Sequence, residues 1–230
     1  MSKTTTVVRT AAIILGSGLI AATLAPAAGA STNLDFTDGG RIASGLSNIE
    51  LPDGLSAGSI GGQELSQVDQ LDPERYSGRW YQVAAIPQPF SLQCYSDTTA
   101  DYGVLDNSTI SVTNSCSTVW GGESSISGSA KIQDPNQPAS LRVAFDDTPG
   151  QSLDGSVNYR VTYLDDDYSL AVVGDPDRLS GFVLSRTPSI SAEQWQNINS
   201  VVTDRGWWSC AFLTTPQTDG RQDITPLCQA

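Results

Sequence analysis

Leu71-Asp72-Pro73-Glu74-Arg75-Tyr76-Ser77-Gly78-Arg79-Trp80-Tyr81-Gln82-Val83-Ala84 is the stretch whose reading decides the fold, and its counterpart is Phe182-Val183-Leu184-Ser185-Arg186-Thr187-Pro188. Gly78 lets the backbone pass close beneath other structure where a Cβ would collide. Trp80 supplies a plug. Arg186, far along the chain, supplies a planar cation able to lie across the indole face. The three read as one device that closes an end of a barrel.

Around this stretch, short period-two segments recur between turn residues. Residues 80–86 form the first, followed by 97–104, the turn Leu105-Asp106-Asn107-Ser108, and 109–116 with Ile110, Val112 and Asn114 on one face. Gly121-Gly122 leads into 124–132, where Ile126, Ala130 and Ile132 align. Residues 141–145, 157–163, 168–173 and 181–186 complete eight segments. Eight antiparallel strands with short connections and two edges to hide predict an all-β, closed, eight-stranded up-and-down barrel. One α-helix follows, with Ser191 and Gln194 as its capping box. Its apolar face is Trp195, Ile198, Val201 and Val202, and Gly206 stops it. The helix is expected to pack outside the barrel, with a short final strand at 211–215.

This order, with the Gly78-x-Trp80 element and the Arg186 segment, resembles the lipocalins, in particular the bacterial outer-membrane lipocalin and apolipoprotein D type. The resemblance covers 71–217. It is strongest at 76–87 and 168–188, including Gly174-Asp175-Pro176-Asp177-Arg178. One element departs from the family: its Thr-Asp-Tyr appears here as Leu164-Asp165-Asp166-Asp167-Tyr168. The resemblance implies a carrier or store for one small apolar ligand of the fatty-acid or lysophospholipid class, not an enzyme. Gly78, Trp80 and Arg186 then serve barrel closure.

Counting alternate residues from Trp80 puts Gln82, Ala84 and Ile86 inside. Further cavity candidates are Ala100, Tyr102, Ile110, Val112, Ala130, Val143, Phe145, Tyr159 and Tyr163. In the family the loop after the first strand lies over the open mouth, which nominates Phe90 and Leu92 as a gate. The ligand's polar group is expected near that mouth, met by tyrosine hydroxyls or backbone donors.

The 230-residue chain begins with a leader-like segment. Lys3 and Arg9 precede an apolar run at 11–24, and Ala28-Gly29-Ala30 ends it as a cleavage site. Residues 1–30 are therefore expected to be a secretory signal peptide. Without Lys3 and Arg9 there remain 10 basic against 25 acidic side chains, a net charge of −15. That balance argues against nucleic acid as a partner. No cysteine follows the cleavage site to carry a lipid anchor, so the protein is expected to be secreted or held peripherally in the cell envelope. Residues 31–70, rich in Gly, Ser, Asp and Asn, are expected to form a flexible linker or a loosely docked arm, and 218–230 a disulfide-tethered tail.

Four cysteines in an exported chain read as two disulfides. The hairpin centred near Asp106-Asn107 brings Cys94 toward Cys116, which favours Cys94–Cys116 with Cys210–Cys228. The apolipoprotein D type of pairing instead joins Cys94 to Cys228 and Cys116 to Cys210. The chain contains no histidine, which excludes Ser-His-Asp and Cys-His catalysis. No cofactor and no metal are expected, and Asp165-Asp166-Asp167 reads as a solvated turn. Two other roles stay open: a cell-envelope interaction protein that uses the barrel as scaffold, and a secreted enzyme acting on an apolar substrate.

Overall fold

The period-two segments become strands β1 (Gly78–Ala85), β2 (Cys94–Val104), β3 (Thr109–Thr118), β4 (Glu123–Ile132), β5 (Ser140–Phe145), β6 (Tyr159–Leu164), β7 (Leu170–Gly174) and β8 (Gly181–Ser185). A one-turn helix α1 (Pro73–Tyr76) precedes them, and α2 (Ala192–Asp204) and β9 (Leu213–Thr214) follow. The computed structural model describes residues 63–230 apart from Asp147. The leader-like segment and the expected arm as far as residue 62 lie outside the described residues.

Each strand pairs antiparallel with the next, and β8 returns to β1. The other edge of β1 is shared. Gly78 to Tyr81 pair with Tyr102 to Thr99 of β2, while Ala84 and Ala85 pair with Thr214 and Leu213 of β9. The barrel therefore closes at the Trp80 end and splits between β1 and β2 at the other. A fully buried Gln217 stitches the split: its Nε2 donates to the Gln82 carbonyl at 2.8 Å and to the Thr98 carbonyl at 2.9 Å. Beside it the Thr218 amide donates to Asp97 Oδ1 at 2.6 Å.

Directly opposed residues of an antiparallel ladder point to the same side, so the register traces the inner wall from Trp80. Trp80 faces Ala100, then Asn114, then Ile126. The next row runs Tyr102, Val112, Gly128, Phe145, and the next Val104, Ile110, Ala130, Val143. Ile132, Leu141 and Tyr159 follow, then Val161, Val173, Phe182 and Ala85, and finally Ala171, Leu184 and Gln82.

Strict alternation is interrupted in β2 between Cys94 and Thr99, and by two bulges that bear on the nominated residues. The first lies in β1 between Gln82 and Ala84 and turns Ala84 and Ile86 to the outside. There Ala84 is buried beneath the outer layer, and Ile86 lies near Phe212. The second lies in β6 between Val161 and Tyr163 and turns Tyr163 out, where its hydroxyl accepts from Asn197 Nδ2 of α2 at 3.0 Å. Strict alternation puts Ala84 and Ile86 on the Trp80 side and Tyr163 on the Tyr159 side; each bulge adds one residue to its strand and reverses every side chain beyond it.

The outer layer is α2, which starts on the reciprocal Ser191–Gln194 capping box. Trp195, Ile198 and Val202 pack on Val83, Leu170, Val172 and Val183, with Trp207, Phe212 and Leu227 filling the margins. Residues 63–70, the end of the segment expected to be a flexible linker or a loosely docked arm, are docked. Leu65 is fully buried in this outer cluster. The Leu65 amide donates to the Pro176 carbonyl at 2.8 Å, and the Val68 amide to the Val161 carbonyl at 2.9 Å. Arg160 clamps the segment through Glu64 and the Leu65 carbonyl, both at 2.6 Å. One buried leucine and a paired backbone hold a run whose composition reads as loop.

Two disulfides join Cys94 to Cys116 and Cys210 to Cys228. The first ties the start of β2 to the end of β3, and the second ties the tail to the segment after α2.

Candidate ligand site

The inner wall has one closed and one open end. At the closed end Gly78 adopts φ +92°, and a Cβ there would stand 3.3 Å from Arg186 Nη1. Trp80 is fully buried and donates its indole N–H to the Tyr76 carbonyl at 2.8 Å. The Arg186 guanidinium lies 3.9 Å from the centre of the indole. Its nitrogens donate to the carbonyls of Arg79, Arg75 and Tyr168 at 2.9, 2.7 and 3.2 Å. One cation thus satisfies the carbonyls of three segments that meet at the floor and leaves its charge outside the interior.

The turn with the unusual Asp-Asp-Asp-Tyr is part of this floor. Asp165 accepts from the Ser169 and Leu170 amides at 2.6 and 3.0 Å, and Tyr168 takes φ +57°. Asp175 repeats the arrangement, accepting from the Ser180 amide and hydroxyl at 2.5 and 2.7 Å, with Arg178 at φ +60°. These carboxylates are consumed by turn amides, and among the described residues no group of carboxylates and cysteines is arranged to hold a metal ion.

Just inside the floor three tyrosines from three elements meet. The Tyr159 hydroxyl of β6 is 2.7 Å from that of Tyr76 and 3.2 Å from that of Tyr102 of β2. The rings of Tyr76 and Tyr102 stack with centroids 5.4 Å apart. Burial, which disfavours the phenolate, pushes Tyr102 up to about 12 against the weaker opposing pull of its bond to Tyr159. Tyr76 and Tyr159 are raised well above the ordinary tyrosine value, by burial first and then by the neighbouring phenols. The trio is neutral and donates or accepts only through hydroxyls. The tyrosines foreseen as mouth residues thus stand at the other end.

Of the residues nominated from sequence, Gln82, Ala100, Tyr102, Ile110, Val112, Ala130, Val143, Phe145 and Tyr159 face the interior, and Ala84, Ile86 and Tyr163 do not. Gln82 spends its amide on Thr215 Oγ1 at 3.0 Å. Inward residues outside the nominated set include Tyr76, Asn114 and Ile126. Tyr76 comes from a helix before the barrel, so strand alternation could not find it. Asn114 and Ile126 were reachable by carrying the Trp80 parity across β2 and β3. Asn114 Oδ1 is buried without a hydrogen-bond partner.

The open end is apolar and uncovered. Ile126 faces inward yet is 40% exposed. Phe90 and Leu92, nominated as a gate, stand 71% and 73% exposed on the loop that joins β1 to β2. That loop runs along the rim, Gln88 Nε2 donating to the Leu179 carbonyl at 3.1 Å and Gln93 Nε2 to Ser124 Oγ at 3.3 Å. Trp120, at the β3–β4 turn, is 79% exposed, and Tyr95, Val119 and Leu179 add to the same rim. A separate polar cleft of about 310 Å³ lies outside β1–β3, lined by Arg79, Tyr81, Asp97, Thr99 and Glu123 among others. Tyr81, Thr99 and Ser115 pair across its wall on the outward side, so the cleft does not reach the interior.

A model of the lipocalin-like domain matches residues 71–217. Temperature-induced lipocalin-1 of Arabidopsis thaliana is 34% identical over 161 residues, spanning 68% of this chain and 85% of that protein. Outer membrane lipoprotein Blc of Escherichia coli (strain K12) is 32% identical over 157 residues, spanning 66% of this chain and 83% of its own. Among solved structures, the cockroach allergen Per a 4 superposes with a TM-score of 0.51 at 18% identity over 66% of this chain and 93% of its own, a likeness of fold.

Proposed function

This chain belongs to the lipocalin family, and from that membership we propose that its barrel takes up one small apolar molecule of the fatty-acid or lysophospholipid class and carries or stores it outside the cytoplasm. The observation that carries this reading is the inner wall. Its rows are apolar, with small side chains at Ala85, Ala100, Ala130 and Ala171. Trp80 closes the wall at one end, and exposed Ile126 leaves it open at the other. Such a wall rewards burial of an acyl chain by about 0.8 kcal/mol per methylene. A charged headgroup stays at the mouth, because no cation of the floor turns inward.

The rim supports peripheral association with the envelope. Phe90, Leu92, Tyr95 and Trp120 expose apolar surface at the end of the barrel away from Trp80. Amphipathic aromatic rings settle at a lipid–water boundary. Two disulfides and the leader-like segment 1–30 are in keeping with an oxidising compartment.

The test is displacement of 8-anilinonaphthalene-1-sulfonate, with fluorescence as the readout. Palmitic acid and palmitoyl lysophosphatidylcholine are expected to compete the probe out with micromolar apparent constants. If neither displaces it, and no lipid is extracted from protein purified out of its native host, the carrier reading fails.

A further inference from the structure

The tyrosine trio holds one hydroxyl hydrogen more than it uses. Three hydroxyls bring three hydrogens, and the two contacts that join them, Tyr76–Tyr159 and Tyr159–Tyr102, consume two. Among the described residues no other acceptor is bonded to any of the three hydroxyls. The position of the spare hydrogen follows from burial. If Tyr102 donated to Tyr159 and Tyr159 to Tyr76, the spare hydrogen would sit on Tyr76, which is 2% exposed and wedged between Tyr102 and Trp80. A hydroxyl hydrogen stranded there meets the full cost of desolvation. The alternatives run Tyr76 to Tyr159 to Tyr102, or let Tyr159 accept from both neighbours. Either one leaves the free hydrogen on Tyr102 or Tyr159, the two part-exposed members that face the interior.

A second unmet group lies on the same wall. Asn114 Oδ1 is buried without a partner, and Asn114 sits one inward row from Tyr102, opposite Ala100. A free donor and a free acceptor thus lie on adjacent inward rows of an otherwise apolar wall.

The charge of the matching group is set by what surrounds it. Arg186 spends its nitrogens on three backbone carbonyls at the outer side of Trp80. A carboxylate pushed down to the tyrosines would be buried beside neutral phenols, with no cation hydrogen-bonded to it and only the weak pull of Arg186 through Tyr76 to offset its desolvation. An uncharged oxygen meets no such penalty. The length of the wall is suitable: β2 from Cys94 to Tyr102, irregular between Cys94 and Thr99, rises roughly 15–20 Å once its bulges and the strand tilt are allowed for, on the order of an extended C16 chain.

Building on the carrier reading, we propose that Tyr76, Tyr102 and Tyr159 form an oxygen-recognition site at the blind end of the barrel, which selects acyl chains bearing a hydroxyl or carbonyl group at the end remote from the carboxylate. The carboxylate remains at the mouth. The distal oxygen accepts the spare tyrosine hydrogen.

The test compares three acids as competitors of 8-anilinonaphthalene-1-sulfonate: palmitic acid, 2-hydroxypalmitic acid and 16-hydroxypalmitic acid. The two hydroxy acids have equal composition and place the hydroxyl at opposite ends. Wild-type protein should bind 16-hydroxypalmitic acid roughly 3- to 10-fold more tightly than either other acid, the gain of one net hydrogen bond. Without a deep site it should bind more weakly than palmitic acid, because an unmatched hydroxyl is buried. The double variant Tyr102→Phe/Tyr159→Phe should lose the preference, read as the ratio of the 16-hydroxypalmitic to the palmitic acid constant within that same variant. Equal or weaker binding of 16-hydroxypalmitic acid by wild type overturns the site and leaves the carrier reading standing. A preference that survives in the double variant overturns the tyrosine assignment. Failure of all three acids to displace the probe overturns the carrier reading itself. Should the double variant not fold, the wild-type contrast between the two hydroxy acids decides alone.

Discussion

The two ends of the barrel are built on opposite principles. At the floor, Trp80 is sealed, its N–H is matched, and one arginine satisfies three carbonyls. At the mouth, Phe90, Leu92 and Trp120 stand in solvent, and inward-facing Ile126 is partly bare. The floor spends sequence on stability. The mouth tolerates the cost of exposed apolar surface in return for access. The Gly78–Trp80–Arg186 device and the exposed apolar rim therefore lie at opposite ends of the barrel.

The sharpest way to break that contrast is Trp80→Ala. Removing a fully buried indole from the floor should cost roughly 3–5 kcal/mol, read as a lower denaturation midpoint; an unchanged midpoint would show that the floor does not hold the barrel. Next comes alkaline titration. Tyr102 is raised to about 12 in the folded protein, against 10.0 when free. A raised value means stability fully present below pH 10, falling as pH climbs from 10 toward 12. The loss should be on the order of 2 kcal/mol from Tyr102 alone. Tyrosinate absorbance and unfolding should then rise together in that window. Early ionisation of all seven tyrosines with the fold intact would contradict a sealed floor. The smallest effect on stability belongs to the rim: Phe90→Ser with Trp120→Ser should move stability by less than about 0.5 kcal/mol. The same pair should slow transfer of a fluorescent fatty acid from phosphatidylcholine vesicles several-fold in stopped flow; an unaltered rate removes the lipid-facing role of the rim.

The sequence made the floor legible and the interior only partly so. Gly78, Trp80 and Arg186 are rare enough in combination to fix the topology, and the Ser191–Gln194 capping box announces α2. Parity carried from Trp80 works for as long as alternation holds, which is why Gln82 faces inward and Ala84 does not. The β1 and β6 bulges have no signature in composition, since Val83 and Thr162 are ordinary strand residues. Tyr76, Tyr102 and Tyr159 come from α1, β2 and β6 and meet only after closure, so no local pattern links them. The docking of 63–70 rests on one leucine and on backbone pairing, neither of which a polar, glycine-rich composition reveals. Exposure of the rim is likewise a property of the folded loops and not of the residues alone.

Gln217 has a consequence for the order in which the molecule is made. It holds β1 to β2 where those strands part, through the Gln82 and Thr98 carbonyls, and it follows all eight barrel strands in the chain. A chain emerging from the ribosome presents its N-terminal part first. All eight barrel strands are therefore free to associate while the residue that stitches their seam is still confined. That tie between β1 and β2 is therefore made only after the last barrel strand, and until then the two strands are joined only by the pairing of Gly78 to Tyr81.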